Sequence, residues 1–126
     1  MNDRPTVLLF NVADAKKRSI RTILTDLKIR GREVFPEEQG KSIEELLGDT
    51  GDMPPASRVA TFQDEMLVLH TLSERQMDRL LRELRSRGAS VALKAVTTPV
   101  NISWSGRDLY EALKREHDAI QKLRAL

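Results

Sequence analysis

A chain of 126 residues with 21 basic and 19 acidic side chains, 40% of it hydrophobic, has the size and balance of one globular domain. The absence of cysteine excludes disulfides, thiolate nucleophiles and Cys-built zinc sites, and accords with a reducing cytoplasm. No apolar run approaches the roughly 18 residues of a membrane span, and the opening MNDRPTVLLF lacks a signal-peptide layout. The expectation is therefore a single cytoplasmic domain over residues 1–126 with no membrane contact.

The elements alternate. Residues 6–10 (TVLLF) are a short strand, and Ile20, Ile23, Leu24 and Leu27 recur at helical spacing up to Gly31. Residues 32–35 form a weak strand stopped by Pro36. Ser42-Ile43-Glu44-Glu45 then matches a capping box and opens a short helix closed by Gly48, ahead of the loop DTGDMPPAS. Residues 65–71 (EMLVLHT) are a second apolar strand. Ser73 caps the next helix with Gln76 reaching back and Leu72 stapled to Met77, and Met77, Leu80, Leu81 and Leu84 make its buried stripe. Residues 91–97 are the last strand. Ser105 caps a C-terminal helix over 105–126, with Asp108 at its third position, Trp104 placed to staple onto Leu109, and Leu109, Leu113, Ile120 and Leu123 on its buried side.

Two βαβ halves predict an α+β fold, a ferredoxin-like sandwich (βαββαβ with a short helical insertion) plus the C-terminal helix. In that topology the first and third strands are central and both long helices cover one face. Yet the strands are apolar on both sides, so something must cover the second face. The C-terminal helix is one candidate, and a second subunit, hence a homodimer or another protein partner, is the other. No internal sequence repeat is evident. Residues 33–65 form an acidic connector carrying −7 while the rest of the chain carries +9, a split that can steer partners or self-contact but more commonly marks a solvated surface.

The densest polar run is LKAVTTPVNISW, residues 93–104, followed by a helix carrying Glu116-His117. With its Lys94, Ala95, Val96, Thr97, Asn101 and Trp104, and with LLFN, SIEELL and EMLVLH upstream, the chain resembles a small bacterial domain family of uncharacterised function. That resemblance implies a bacterial cytoplasmic domain and supplies no activity, cofactor or catalytic residue.

The candidate ligand-binding residues are Lys94, Thr97, Asn101, Trp104 and His117. Lys94 shares a strand face with Ala92 and Val96. Under the last helix it would be partly buried and need a carboxylate from Glu111, Glu116 or Asp118 as a structural ion pair, or else serve as a lysine of lowered pKa or a site for a small anionic ligand; the remaining placement is a solvent-exposed lysine. Asn101 after Pro99 reads first as a turn former, Trp104 as a core anchor, and Thr97 as a backbone partner or part of an anion site at the helix start. In the ferredoxin-like fold Asn11 and His70 would be neighbours at one sheet edge, and Thr97 and Asn101 would lie at the other. Neither histidine has metal-ligand spacing, so no metal and no cofactor are assigned. Phosphate loops, nucleophile elbows and paired-histidine motifs are absent from the sequence. Arg75, Arg79 and Arg82 make a basic helical face, but 4% aromatics and aliphatic strands disfavour nucleic acid. The leading reading is a non-enzymatic interaction or small-ligand-sensing domain. The alternatives are a small enzyme using Lys94 with a carboxylate or His117, and an RNA-binding module using the arginine face.

Overall fold

Local capping chemistry starts three of the four helices. In the computed structural model, which describes residues 4–48 and 61–125, Ser42 and Glu45 bond reciprocally at the start of α2 (Ile43–Leu47). Ser73 and Gln76 do the same for α3 (Glu74–Ser86), and Ser105 accepts from the Asp108 N–H at 3.0 Å to open α4 (Gly106–Arg124). Each bond satisfies a helix-end N–H that would otherwise have no intrahelical partner. The first helix, α1 (Asp14–Asp26), has no side-chain cap of its own at Ala13. Glu65, distant in sequence, accepts from the Ala13 N–H at 2.9 Å and from Lys16 at 2.7 Å instead.

The four strands are β1 (Thr6–Phe10), β2 (Arg30–Val34), β3 (Met66–His70) and β4 (Leu93–Val96), in the sheet order β2-β1-β3-β4. β1 pairs parallel to β2 and β3 parallel to β4, while the central pair β1 and β3 runs antiparallel. The fold is α+β, with β1 and β3 central as expected, but the strand order is not ferredoxin-like. A ferredoxin-like sheet also runs its two central strands antiparallel, but it crosses each helix over to a non-adjacent strand, giving the order β4-β1-β3-β2. Here each βαβ unit closes onto its own neighbouring strand. The antiparallel central pair, which the ferredoxin-like arrangement shares, sets Thr6 against His70 and Phe10 against Met66, so Asn11 and His70 lie at opposite ends of the sheet and not at one edge as expected.

The two units are a structural duplication that the sequence does not advertise. Residues 6–29 superimpose in role on 66–89, sixty positions later. Asn11 and Thr71 both take a left-handed backbone after the first strand, as do Lys28 and Gly88 after the helix. The Ile29 N–H bonds the Leu24 carbonyl and the Ala89 N–H bonds the Leu84 carbonyl, each at 2.8 Å. This is the same 6→1 helix stop twice. Register extends the equivalence to the second strands. Val7 faces Gly31 and Leu9 faces Glu33, while Leu67 faces Lys94 and Leu69 faces Val96.

Alternate strand residues feed two cores. Val7, Leu9, Leu67 and Leu69 pack with Ile20, Ile23, Leu24, Leu80 and Leu84 beneath α1 and α3. Leu8, Phe10, Met66 and Val68 pack on the other side with Ile43, Leu46, Leu47, Phe62 and Leu109 from α2, the segment before β3, and α4. The second face is thus covered by the chain itself, and the two-faced apolarity of the strands does not call for a second copy. The C-terminal helix covers less than its pattern suggests. Leu109 is buried and Leu113 partly so, but Ile120 is 45% and Leu123 70% exposed, because α4 runs past the edge of the sheet. Residues 49–57, the expected loop, lie outside the described residues.

Buried Gln39 ties the acidic connector to the sheet. Its side chain accepts from the Phe62 N–H at 2.9 Å and donates to the Phe62 carbonyl at 3.3 Å and to Asn11 at 3.4 Å. Asn11 donates to the carbonyls of Phe62 and Asp64. No described helix is long and apolar enough to cross a membrane.

Candidate functional site

The structure separates the five candidate residues rather than gathering them. Asn101 is spent on the turn: its side chain accepts from the Thr98 N–H at 2.8 Å and donates to the Val96 carbonyl at 3.1 Å, and Thr98 returns a bond to the Asn101 N–H at 2.9 Å. Thr97 binds His70, with 2.9 Å between its hydroxyl and the ring Nδ1, so these two groups, assigned to opposite sheet edges from sequence, are neighbours. Trp104 sits where α4 meets the acidic connector, its carbonyl accepting from the Ile43 N–H at 2.8 Å. Ser105 bridges to Ser42 beside it.

His117 lines a shallow cleft of about 240 Å³ with Asp64, Glu65, Ala92, Leu93 and Lys114. The charges there are internally balanced. Asp64 accepts from the Tyr110 hydroxyl at 2.6 Å and lies 3.7 Å from Lys114, which also approaches Asp118 at 3.5 Å. Tyr110 stacks flat on Phe62, ring centroids 4.1 Å apart. The hydrogen bond to Asp64, with partial burial and the carboxylate's charge behind it, pushes the phenol up to about 12. Glu65 is held below the ordinary carboxylate range. Burial works against its charge, but the bonds from Lys16 and from the Ala13 N–H outweigh that.

Lys94 is not held under the last helix; it is exposed, the third of the placements open from sequence. Its strand parity is as expected, but the α4 side takes Leu93 and Ala95, and Lys94 projects toward α3. It lines a groove of about 290 Å³ with Leu81, Leu84, Arg85 and Ser90. Its ammonium donates to the Val91 carbonyl, which leaves two of its three N–H donors. Glu111, Glu116 and Asp118 belong to α4, across the sheet, so the anticipated lysine–carboxylate staple is absent. Among the described residues neither Lys94 nor Arg85 makes an ion pair. Partial burial without a carboxylate lowers the Lys94 pKa from its usual value, because desolvation penalises the charged form.

The duplicated unit supplies an internal comparison. At the position of Lys94 the first unit has Gly31, where an added Cβ would lie 2.9 Å from the Leu24 side chain, so helix and strand close tightly there. At the position of Val96 it has Glu33, which neutralises Lys17 at 2.6 Å and Arg21 at 3.4 Å. The Glu33 bond, with Asp14, raises the Lys17 pKa. The second unit replaces Lys17, Arg21 and Glu33 with Met77, Leu81 and Val96. The first unit pairs its seam cations with carboxylates and its cavity of about 320 Å³ is lined by Asp14, Lys17, Arg18 and Arg21, whereas the groove of the second unit has an apolar wall and cations without ion pairs among the described residues.

Sequence reading missed Leu81 and Arg85 as site residues. The signals that find the groove are the sixty-residue offset of the helices, which sets Leu81 against Arg21, and the strand register, in which Gly31 and Glu33 give way to Lys94 and Val96. Arg75, Arg79 and Arg82 are exposed along α3. No group of three or more His, Cys, Asp or Glu side chains is arranged to hold a metal among the described residues.

These features define a three-layered α+β domain, helices on both faces of one sheet, with a small basic groove at one sheet edge. Residues 65–120 match the profile of a family described as a domain of unknown function (DUF3783). The match takes in the second βαβ unit and most of α4, including every residue of the groove. No curated protein matches the chain, and no solved structure does.

Proposed function

We propose that the chain is a non-enzymatic binding domain that senses a small anionic ligand through Lys94. The observation that carries this reading is the unneutralised ammonium in the groove between α3 and β4. Lys94 is exposed along its side chain and so reachable from solvent, and the partial desolvation of its ammonium beside the Val91 carbonyl favours an anion that brings the opposite charge. The enzyme alternative draws less support, because Lys94 and His117 project from opposite faces of the sheet and share no cleft. The RNA alternative rests on Arg75, Arg79 and Arg82, which are exposed without ion pairs among the described residues, and it is separable in the same experiment.

Thermal denaturation in the presence of inorganic phosphate, simple carboxylates and a short RNA tests the proposal. A ligand at 100-fold its Kd adds about 2.7 kcal/mol, a rise of several degrees in Tm. The expected result is stabilisation by small anions that disappears in Lys94→Met and persists in Arg75→Ala with Arg79→Ala. Stabilisation by RNA alone, lost in the arginine double variant and at high salt, overturns the reading in favour of the RNA module. No stabilisation by any anion overturns it outright.

A further inference from the structure

The groove has a second property that its charge does not explain, an apolar wall of Leu81 and Leu84. A site for inorganic phosphate or a sugar phosphate would gain from more donors there and gains nothing from leucines, since polar ligands lose hydration against them. The volume of about 290 Å³ lies just below the roughly 300–1,000 Å³ that small-molecule sites span, which suits a small body. Arg85, in the last turn of α3, offsets the negative end of the helix dipole, so the carbonyls behind the groove do not repel an incoming anion. The Ser90 side chain adds a hydroxyl that can donate to an anionic head.

We propose that the ligand is a small amphipathic carboxylate, its head between Lys94 and Arg85 and its aliphatic or aromatic body against Leu81 and Leu84. The inference rests on the anion-binding reading above and narrows it to a ligand class. The first βαβ unit shows why the class is confined to one edge. Its equivalent helix position is Arg21, paired with Glu33, so an apolar body finds no wall there and an anion meets a carboxylate.

The test is calorimetric titration of the full chain with straight-chain carboxylates from acetate to octanoate, with inorganic phosphate and the matching alcohols as comparators. Each methylene that enters the groove tightens binding by up to about fourfold, from ~0.8 kcal/mol per buried CH₂. The tightening stops when the groove is full. Lys94→Met weakens every carboxylate in the series. Leu81→Gln, at a partly exposed position where folding is not at stake, flattens the chain-length dependence and leaves acetate unchanged. Alcohols that bind as well as the carboxylates overturn the proposal. If acetate, octanoate and phosphate bind equally in wild type, the amphipathic class is wrong while anion binding stands. If none binds, both fall.

Discussion

Tyr110 is the only tyrosine in the chain, so tyrosinate absorbance reads one hydrogen bond without assignment. The bond to Asp64 at 2.6 Å holds the phenol up to about 12, against an ordinary value of 10.0. At pH 11 a free phenol is about 90% ionised, whereas one titrating near 12 is about 10% ionised. Asp64→Ala removes both the acceptor and its charge, and the titration should fall most of the way back toward 10. The sign of the stability effect follows. A pKa raised by folding contributes stability that is fully present below pH 10 and is lost as pH climbs from 10 through about 12. Taken at face value two units are worth ~2.7 kcal/mol. The Asp64 side chain is 46% exposed, and solvent screening reduces the contribution to about 1 kcal/mol or less. That corresponds to roughly 3–5 °C in Tm for a domain of this length. Absorbance at pH 11 is compared between wild type and Asp64→Ala, with circular dichroism establishing that both remain folded. Equal ionisation in the two proteins refutes the argument that this bond pins α4 to the segment before β3.

Two further outcomes follow from the same kind of accounting. Asn101→Ala removes the bonds to Thr98 and Val96 and should cost about 1–2 kcal/mol in urea denaturation. It leaves carboxylate titrations unchanged, whereas a weakened titration would return Asn101 to the binding site. Glu65, whose pKa is lowered from 4.5, contributes stability that is present above the unfolded value and is lost as pH falls through the folded one. Glu65→Gln should therefore destabilise at pH 7 and lose less stability than wild type on acidification below about 4.5, read as Tm against pH. A parallel loss in both proteins refutes the assignment.

What the sequence discloses here is what acts over a few residues. Ser42, Ser73 and Ser105 announce their helices because a cap is a bond between a side chain and a backbone N–H three positions on. The start of α1 has no such signature, since its cap comes from Glu65 and exists only once the two units meet. Strand parity around Lys94 is readable for the same local reason. Which helix covers which face is not, because it depends on pairing between strands sixty residues apart. The order strand–helix–strand, twice, is shared by the ferredoxin-like sheet and by this one. What distinguishes them is the edge each second strand takes, since β2 joins β1 and β4 joins β3 here while a ferredoxin-like sheet exchanges the two, and no short motif encodes that choice. The duplication stays hidden because, between 6–29 and 66–89, only Leu9/Leu69 and Leu24/Leu84 are identical. Geometry persisted where residues did not.

An edge-strand lysine has a purely structural use: its charge discourages other strands from adding to the sheet. β4 is such an edge, with Val96 52% exposed, and Asn101 already occupies the Val96 carbonyl at its far end. Edge protection requires only a charge of either sign that projects into water. Lys94 instead bends its ammonium to the Val91 carbonyl beside Leu81 and Leu84, with a lowered pKa that a freely solvated lysine does not have. The two roles part in Lys94→Glu. That variant keeps a charged edge, so under the protective role it stays monomeric at high concentration with all its properties intact. Under the binding role it also stays monomeric but repels carboxylates, and their titration signal vanishes. Aggregation of Lys94→Met alongside unchanged carboxylate binding in Lys94→Glu would leave edge protection as the whole explanation of Lys94.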